Sequence, residues 1–253
     1  PAAGSSTILN TNTLAISDGS GIATNYSLTN GTLTMTIVPR STTVSGTKTY
    51  DGTTNVSSSN LTSFSNLAGS DTLSLSGTGT ISSADVGTGK TVNTSGLTID
   101  NSSGVGTNYT LSSATVNVTE RMIGLSGVRA FDGTNNASSA DLSISNLVSG
   151  ENLTLSGSGT LPNATVEMNK EITLGSLSIS DGSGGKSSNY ALTGGSHTLD
   201  ISQLSVNVTG SRQYDGTKTV NSSDLNLTNL VSGETVSLTG AGTVADENVG
   251  ANK

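Results

Sequence analysis

The chain repeats itself. Tyr50-Asp51-Gly52-Thr53 returns as Phe131-Asp132-Gly133-Thr134 and as Tyr214-Asp215-Gly216-Thr217, at intervals of 81 and 83 residues. Asn25-Tyr26-Ser27-Leu28 returns at Asn108-Tyr109-Thr110-Leu111 and at Asn189-Tyr190-Ala191-Leu192. Ser76-Gly77-Thr78-Gly79-Thr80 returns at 156–160 and, as Thr-Gly-Ala-Gly-Thr, at 239–243. Asn66-Leu67, Asn146-Leu147 and Asn229-Leu230 are each followed by an acid, Asp71, Glu151 and Glu234. The markers keep their order, so one unit is about 82 residues, and each unit must bury its own apolar side or share it with a neighbour. Residues 1–40 match the C-terminal half of a repeat, 41–121 and 122–203 are complete repeats, and 204–253 match the N-terminal half of one. We expect the native protein to continue past both ends as a longer array. The alternative is a filament subunit whose two half-repeats complete each other head to tail, by donor-strand-like complementation.

Composition narrows what each unit can be. Ser and Thr make up 84 of 253 residues, and only 31% are hydrophobic, so the apolar side chains suffice for several thin cores and not for one large one. Charged residues are 11%, without the high net charge per residue of a disordered chain. With no Cys, disulfides, thiolate metal sites and thiol catalysis fall away, and the single His, His197, rules out a histidine metal cluster. Ten Lys and Arg scattered through a chain of net charge −8 make no nucleic-acid footprint. No apolar run approaches the roughly 18 residues of a membrane span, so no membrane insertion is expected of this segment.

The apolar period is two almost everywhere. Leu73 and Leu75, Leu97 and Ile99, and Val116 and Val118 alternate with hydroxyl or polar residues, and their counterparts do the same at 153/155 and 236/238, at 177/179 and 14/16, and at 199/201 and 35/37. This is strand patterning, six or seven short strands per unit. Asp-Gly pairs at 18–19, 51–52, 132–133, 181–182 and 215–216, and Asn-Gly at 30–31, supply the turns. Helical periodicity is nearly absent; the one candidate, the Ser/Asp clusters at Ser138–Leu142 and Ser222–Leu225, is open to one helical turn, although such clusters are more often loops. The fold class expected is all-β: small antiparallel β-sandwiches, Ig-like or β-grasp-like, in tandem. No Gly/Ser linker separates Thr119 from Leu125, so the units should form a semi-rigid rod.

The Tyr-Asp-Gly-Thr motif, the Ser-Gly-Thr-Gly-Thr stretch, Asp85-Val86-Gly87-Thr88-Gly89-Lys90 and the Asn-Tyr-Thr-Leu before the final strand together resemble the YDG repeat domains of large bacterial surface exoproteins similar to filamentous haemagglutinin. Phe131 for Tyr and Thr165–Lys170 for the Gly-rich stretch depart from the pattern. The resemblance covers the whole chain. It implies a stalk repeat of a secreted adhesin or biofilm-matrix exoprotein at the cell surface, and no catalytic activity.

The residues singled out carry structural expectations first. Tyr50, Phe131 and Tyr214 are read as aromatic plugs of the cores, Asp51, Asp132 and Asp215 as turn caps, and Gly52, Gly133 and Gly216 as positive-φ positions. Tyr26, Tyr109 and Tyr190 open a late strand of each unit. The rival reading makes an exposed Tyr and Asp a site for host or matrix glycans. Residues 84–91 mimic a phosphate loop but have Ala84 in place of the first Gly and a strand pattern after Thr91. His197 is read as a strand-start residue at a sheet margin, and no catalytic residue, metal ligand or cofactor is expected; calcium at Asp18-Gly19 or Asp181-Gly182 is the one cofactor entertained. A Lys–Asn crosslink at Lys90, Lys170 or Lys253 needs a buried Lys beside a carboxyl. Asn-x-Ser/Thr occurs at 14 of 24 Asn, including Asn25, Asn55, Asn60, Asn101, Asn117, Asn152 and Asn226, which are candidate glycosylation sites. The partners expected are neighbouring repeats of the same chain or the next subunit.

Overall fold

A computed structural model describes residues 6–8, 14–28 and 34–253. The protein is all-β, and its helical content is single 3₁₀ turns. Among the described residues no helix is long and apolar enough to cross a membrane. The chain divides into two compact units, one of residues 1–121 with 188–190 and one of 122–187 with 191–253.

The first unit is built on strands β1 (Arg40–Thr49), β2 (Asn55–Ser57), β3 (Leu61–Ser65), β4 (Leu73–Thr80), β5 (Gly87–Val92), β6 (Leu97–Asn101) and β7 (Tyr109–Thr119). Four of them form a sheet in the order β3-β1-β7-β5, and three form a second sheet, β2-β4-β6. One pairing departs from the antiparallel expectation. The first and last strands, β1 and β7, lie side by side in parallel, from Arg40 opposite Tyr109 to Thr49 opposite Thr119. Their outer neighbours pair antiparallel. A parallel pair needs a crossover, and everything between residues 50 and 108 serves as that crossover. This topology favours the β-grasp-like form over the Ig-like one. Alternation puts Ala114, Val116 and Val118 of β7 inward, and Val44, Val56, Leu61 and Val92 of the same unit are buried as well.

The second unit repeats the plan with β8 (Gly124–Ala130), β9 (Asn136–Ser138), β10 (Leu142–Ser145), β11 (Leu153–Ser156), β12 (Ser158–Thr160), β13 (Glu167–Glu171), β14 (Ser178–Asp181) and β15 (His197–Ser202). Its sheet runs β10-β8-β15-β13, again with a parallel central pair, β8 and β15. Leu125, Ala137, Leu161, Ile172, Leu177, Leu199 and Ile201 form its core, with Phe131 packed against them.

One open reading is decided, and two expectations need correction. The Ser/Asp clusters are 3₁₀ turns, Ser58–Asn60, Ser139–Asp141 and Ser222–Asp224, because polar side chains cap their ends: Asn60 Oδ1 accepts the Ser57 N–H at 3.1 Å and Asp224 Oδ2 the Asn221 N–H at 3.2 Å. Leu14 and Ile16, and Val236 and Leu238, have strand patterning but no strand. Their counterparts Leu97–Asn101 and Leu73–Gly77 form strands by pairing with each other, and alternation without a ladder partner fixes no strand. His197 begins β15, which pairs on both sides, so it sits in the sheet's middle and not at its margin; its Nε2 lies 2.8 Å from the Leu192 carbonyl oxygen. The Asn30-Gly31 turn lies outside the described residues.

One glycine recurs for a reason that the marker motifs do not include. A Cβ on Gly46, Gly127 or Gly210 would run into the carbonyl oxygen of Asn60, Asp141 or Asp224, where the first strand of each repeat passes against its 3₁₀ turn. Neither backbone can give way cheaply. Gly127→Ala should therefore destabilise the second unit by about 3 kcal/mol, whereas Gly242→Ala, which meets open space, should change stability by less than about 0.5 kcal/mol. Urea melts of the full chain distinguish the two.

Candidate functional site

The recurring Tyr-Asp-Gly-Thr turn closes the end of each first strand. Tyr50 N–H donates to the Thr119 carbonyl at 2.9 Å, extending the β1–β7 ladder by one bond, and Phe131 N–H does the same to Ser202 at 2.8 Å. The chain then reverses. Gly52, Gly133 and Gly216 take φ of 76°, 77° and 73°, which a side chain disfavours. Asp51 Oδ1 accepts both the N–H and the hydroxyl of Thr53, each at 2.9 Å. Asp132 with Thr134, and Asp215 with Thr217, repeat this geometry at the same distances. Thr thus belongs to the motif through its hydroxyl as well as its backbone.

A fifth member escaped the sequence reading. Three residues before each Asp stands a cation, Lys48, Arg129 or Arg212, and each pairs with its Asp. Lys48 is only 5% exposed, and its Nζ also donates to Thr53 O at 2.8 Å and Asn55 O at 2.5 Å. Arg129 and Arg212 reach the Thr134 and Thr217 carbonyls at 2.6 Å. The signal was present: in a chain with few charges, a cation recurs at the same offset in all three copies. Burial tends to raise the Asp51 carboxyl's pKa, but the Lys48 ammonium and the Thr53 N–H and hydroxyl outweigh it and hold it below the usual range. Burial, Thr134 and Arg129 act in the same senses on Asp132. Arg212, then Thr217, bring Asp215 down to about 2.

The aromatic positions differ between copies. Tyr50 is 5% exposed, Phe131 half-buried and Tyr214 65% exposed. Tyr109 is buried, donates its hydroxyl to Asp71 and accepts the Ala68 N–H at 3.0 Å, so it joins the Asn-Tyr marker to the Asn66–Asp71 marker. Tyr190 is buried edge-on against Tyr50, ring centres 5.4 Å apart, and Tyr26 is 68% exposed. The Asn of Asn-Leu is also explained. Asn66, Asn146 and Asn229 have φ of 60°, 66° and 66°, and each side chain donates to the carbonyl of Ser41, Met122 or Ser205. Asn tolerates this left-handed backbone better than other side chains do.

The phosphate-loop mimic is a strand bulge. Gly89, Asn169 and Asn252 take positive φ at its apex. The apex amides of Gly89 and Asn169 donate to Asn117 Oδ1 at 2.7 Å and Asp200 Oδ1 at 2.6 Å, so they are spent on the neighbouring strand and not on an anion. Lys90, Lys170 and Lys253 fold back over the bulge. Lys170 Nζ lies 2.5 Å from Asn163 Oδ1 and 2.9 Å from Glu167 Oε2, the juxtaposition a Lys–Asn crosslink would need. Yet Thr165 adds two further acceptors, so all the amine's hydrogens face oxygens and no lone pair faces the Asn163 amide carbon. Intact mass spectrometry should return the uncrosslinked mass, without the loss of one ammonia.

Of the candidate glycosylation sites, Asn25, Asn55, Asn101, Asn117, Asn152 and Asn226 are exposed, and Asn60 is half-buried in its cap. Asp18 and Asp181 accept N–H groups of Ala23 and Ser187 in their own loops. Among the described residues no three metal-ligating acids or His lie together.

The cation–Asp–Thr knot should be sensitive to acid. A carboxyl whose pKa is lower folded than unfolded contributes stability above its ordinary value, near 3.8, and loses it as pH falls toward the folded value. The melting temperature should be flat from pH 7 to about 5 and fall below about 4. Asp132→Ala should cost about 2 kcal/mol at pH 7, less than a fully buried pair because Asp132 faces water, and should flatten the acid limb. Thermal melts across pH check both.

Neither a curated protein nor a solved structure matches the chain. The model of the YDG domain family matches residues 29–116, 122–198 and 200–253. With that match covering most of its length, and with the Tyr-Asp-Gly turn built three times over, the chain belongs to the YDG domain family.

Proposed function

We propose that the chain is a non-catalytic stalk segment of a secreted bacterial adhesin or biofilm-matrix exoprotein, standing outside the cell and carrying force between a surface and whatever the exoprotein grips. The observation that carries this reading is the parallel pairing of first and last strands. In such a repeat the chain enters at one end of the pair, at Arg40, and leaves at the other, at Thr119. A pull between those points loads the whole ladder at once, in shear. Antiparallel terminal strands would open one bond at a time. The Tyr-Asp-Gly turn sits beside the exit, where the Tyr50–Thr119 bond holds the end of the first strand against the last and buried Lys48 ties the turn back to the first strand. Resistance to force depends on the unfolding barrier, and a sheared ladder raises that barrier.

Pulling single chains by their ends tests it. Two unfolding events are expected, each releasing about 25 nm, the extended length of some 80 residues less the folded span. Asp132→Ala should weaken one of them. A chain that extends without resisting would overturn the stalk reading. A glycan array giving a ligand lost in both Tyr26→Ala and Tyr214→Ala would replace it with a glycan-binding module.

A second reading, a filament subunit completed head to tail, rests on exposed apolar residues. Leu14, Ile16, Tyr26 and Met35, and Val206, Val208, Tyr214 and Val236, are exposed although they occupy marker or alternating positions. Concentration-dependent growth of polymers in sedimentation would support that reading.

A further inference from the structure

We propose that the bulge loop and the Tyr-Asp-Gly aromatic of one repeat form a receptor, and that its ligand is the Asn-Tyr turn of the following repeat. This goes beyond the stalk reading, since it assigns a binding site and its occupant whatever the array is for. The first unit contains the example. Ser188–Tyr190 come from residues 122–203 in sequence but belong to the compact unit of residues 1–121. There the Asn189 side chain makes two opposed bonds: its Oδ1 accepts the Val86 N–H at 2.9 Å, and its Nδ2 donates to Asp85 Oδ1 at 2.9 Å. Asn189 is 1% exposed. Tyr190 stands edge-on to Tyr50 at an interplanar angle of 79°. An amide carries its donor and its acceptor on two separate atoms, so it can donate to a carboxylate and accept from a backbone amide together while spanning the gap between them. Ala can do neither, and Asp would set a second carboxylate against Asp85.

The corresponding loops give the contrast. Val86 is half-buried, while Val166 is 48% and Val249 89% exposed. The aromatics follow the same order, Tyr50 buried, Phe131 half-buried and Tyr214 exposed. The backbone amide and the aromatic of the receptor recur at Val166 with Phe131 and at Val249 with Tyr214, with Thr165 and Asn248 standing in place of Asp85, and the receptor is filled where Asn189-Tyr190 reaches it. Its occupant at Phe131 and Val166 is the Asn-Tyr turn of a further repeat. The same logic explains why Asn precedes Tyr in every copy although the two side chains make separate contacts.

Amide hydrogen exchange on the full chain, read residue by residue by NMR, tests the assignment. In the unmodified chain the Val86 amide should exchange slowly and the Val166 amide fast. Asn189→Ala should speed Val86 about tenfold, the order expected for removing one buried hydrogen bond. It should leave unchanged Ile81, whose N–H donates to Thr54, and Ile123, whose N–H donates to Ala191. Retained protection at these two shows that both units are still folded. Asn189→Asp should speed Val86 further, and combining it with Asp85→Asn should restore protection, because the carboxylate and amide have changed places. Equal Val86 exchange in the unmodified chain and Asn189→Ala, or no recovery in the exchanged pair, would overturn the proposal.

Discussion

The parallel ladder between first and last strands is the constraint on which each repeat depends. Once β1 and β7 must lie side by side and point the same way, the chain between them has to leave one end of the sheet and return to the other. The remaining strands are ways of storing that crossover. β3 and β5 cover the two flanks of the pair, and β2, β4 and β6 form a small sheet in which Val56 supplies a buried side chain. Gly46 is the residue that lets the first strand approach its own crossover closely enough to close the unit. In the second unit the same order of strands arises from a sequence that shares the markers and differs at many other positions.

The ladder must also end somewhere, and the Tyr-Asp-Gly turn is how it ends. An Asp with a bonded Thr makes a tight turn on its own. Here the turn is also tied to the strand it terminates by a cation that is buried while its carboxylate partner faces water. Such a pair gains little from Coulomb attraction alone. Its value lies in geometry: one buried ammonium, Lys48, donates to two carbonyls and to the Asp51 carboxylate at once, in a region with little apolar cover. Arg does the same for the second and third copies, with its wider fork set between the carboxylate and the Thr134 or Thr217 carbonyl. The aromatic can change from Tyr to Phe because its packing matters there, and the Phe131 copy closes its ladder through the backbone alone.

Much of this was legible in the sequence, and what was missed has physical reasons. Period-two alternation at Val116/Val118 and Leu199/Ile201 marks strands whichever way their partners run, so it gave no hint that β1 and β7 are parallel. Leu14/Ile16 show the converse: alternation proposes a strand and pairing decides it. Asn66 and its counterparts were visible as markers, but only backbone angles reveal that they stand in the left-handed region. The cation at Lys48, Arg129 and Arg212 was hidden by its change of identity, since a pattern read by letters separates Lys from Arg while the carboxylate does not. Asn189 could not have been paired with Asp85 from spacing, because a separation of 104 residues is not a motif.

A chain so poor in apolar residues still folds because its hydroxyls are placed where a small core leaves off. Thr42 is fully buried with its hydroxyl on the Ser65 carbonyl at 2.5 Å, so a β-branched side chain packs as an aliphatic one would and brings its own satisfied polar atom. On the outer faces, Thr43 meets Ser65 and Ser156 meets Ser178 across paired strands, and Thr72 meets Ser102 just beyond the ends of another pair. Each such contact is worth only a few tenths of a kcal/mol, up to about 1. Many of them side by side stiffen a ladder without adding apolar surface that neighbouring chains could seize. A Ser/Thr-rich strand therefore adds ladder contacts without adding apolar surface along its flanks, and the apolar residues can be reserved for the faces where one strand meets the next layer.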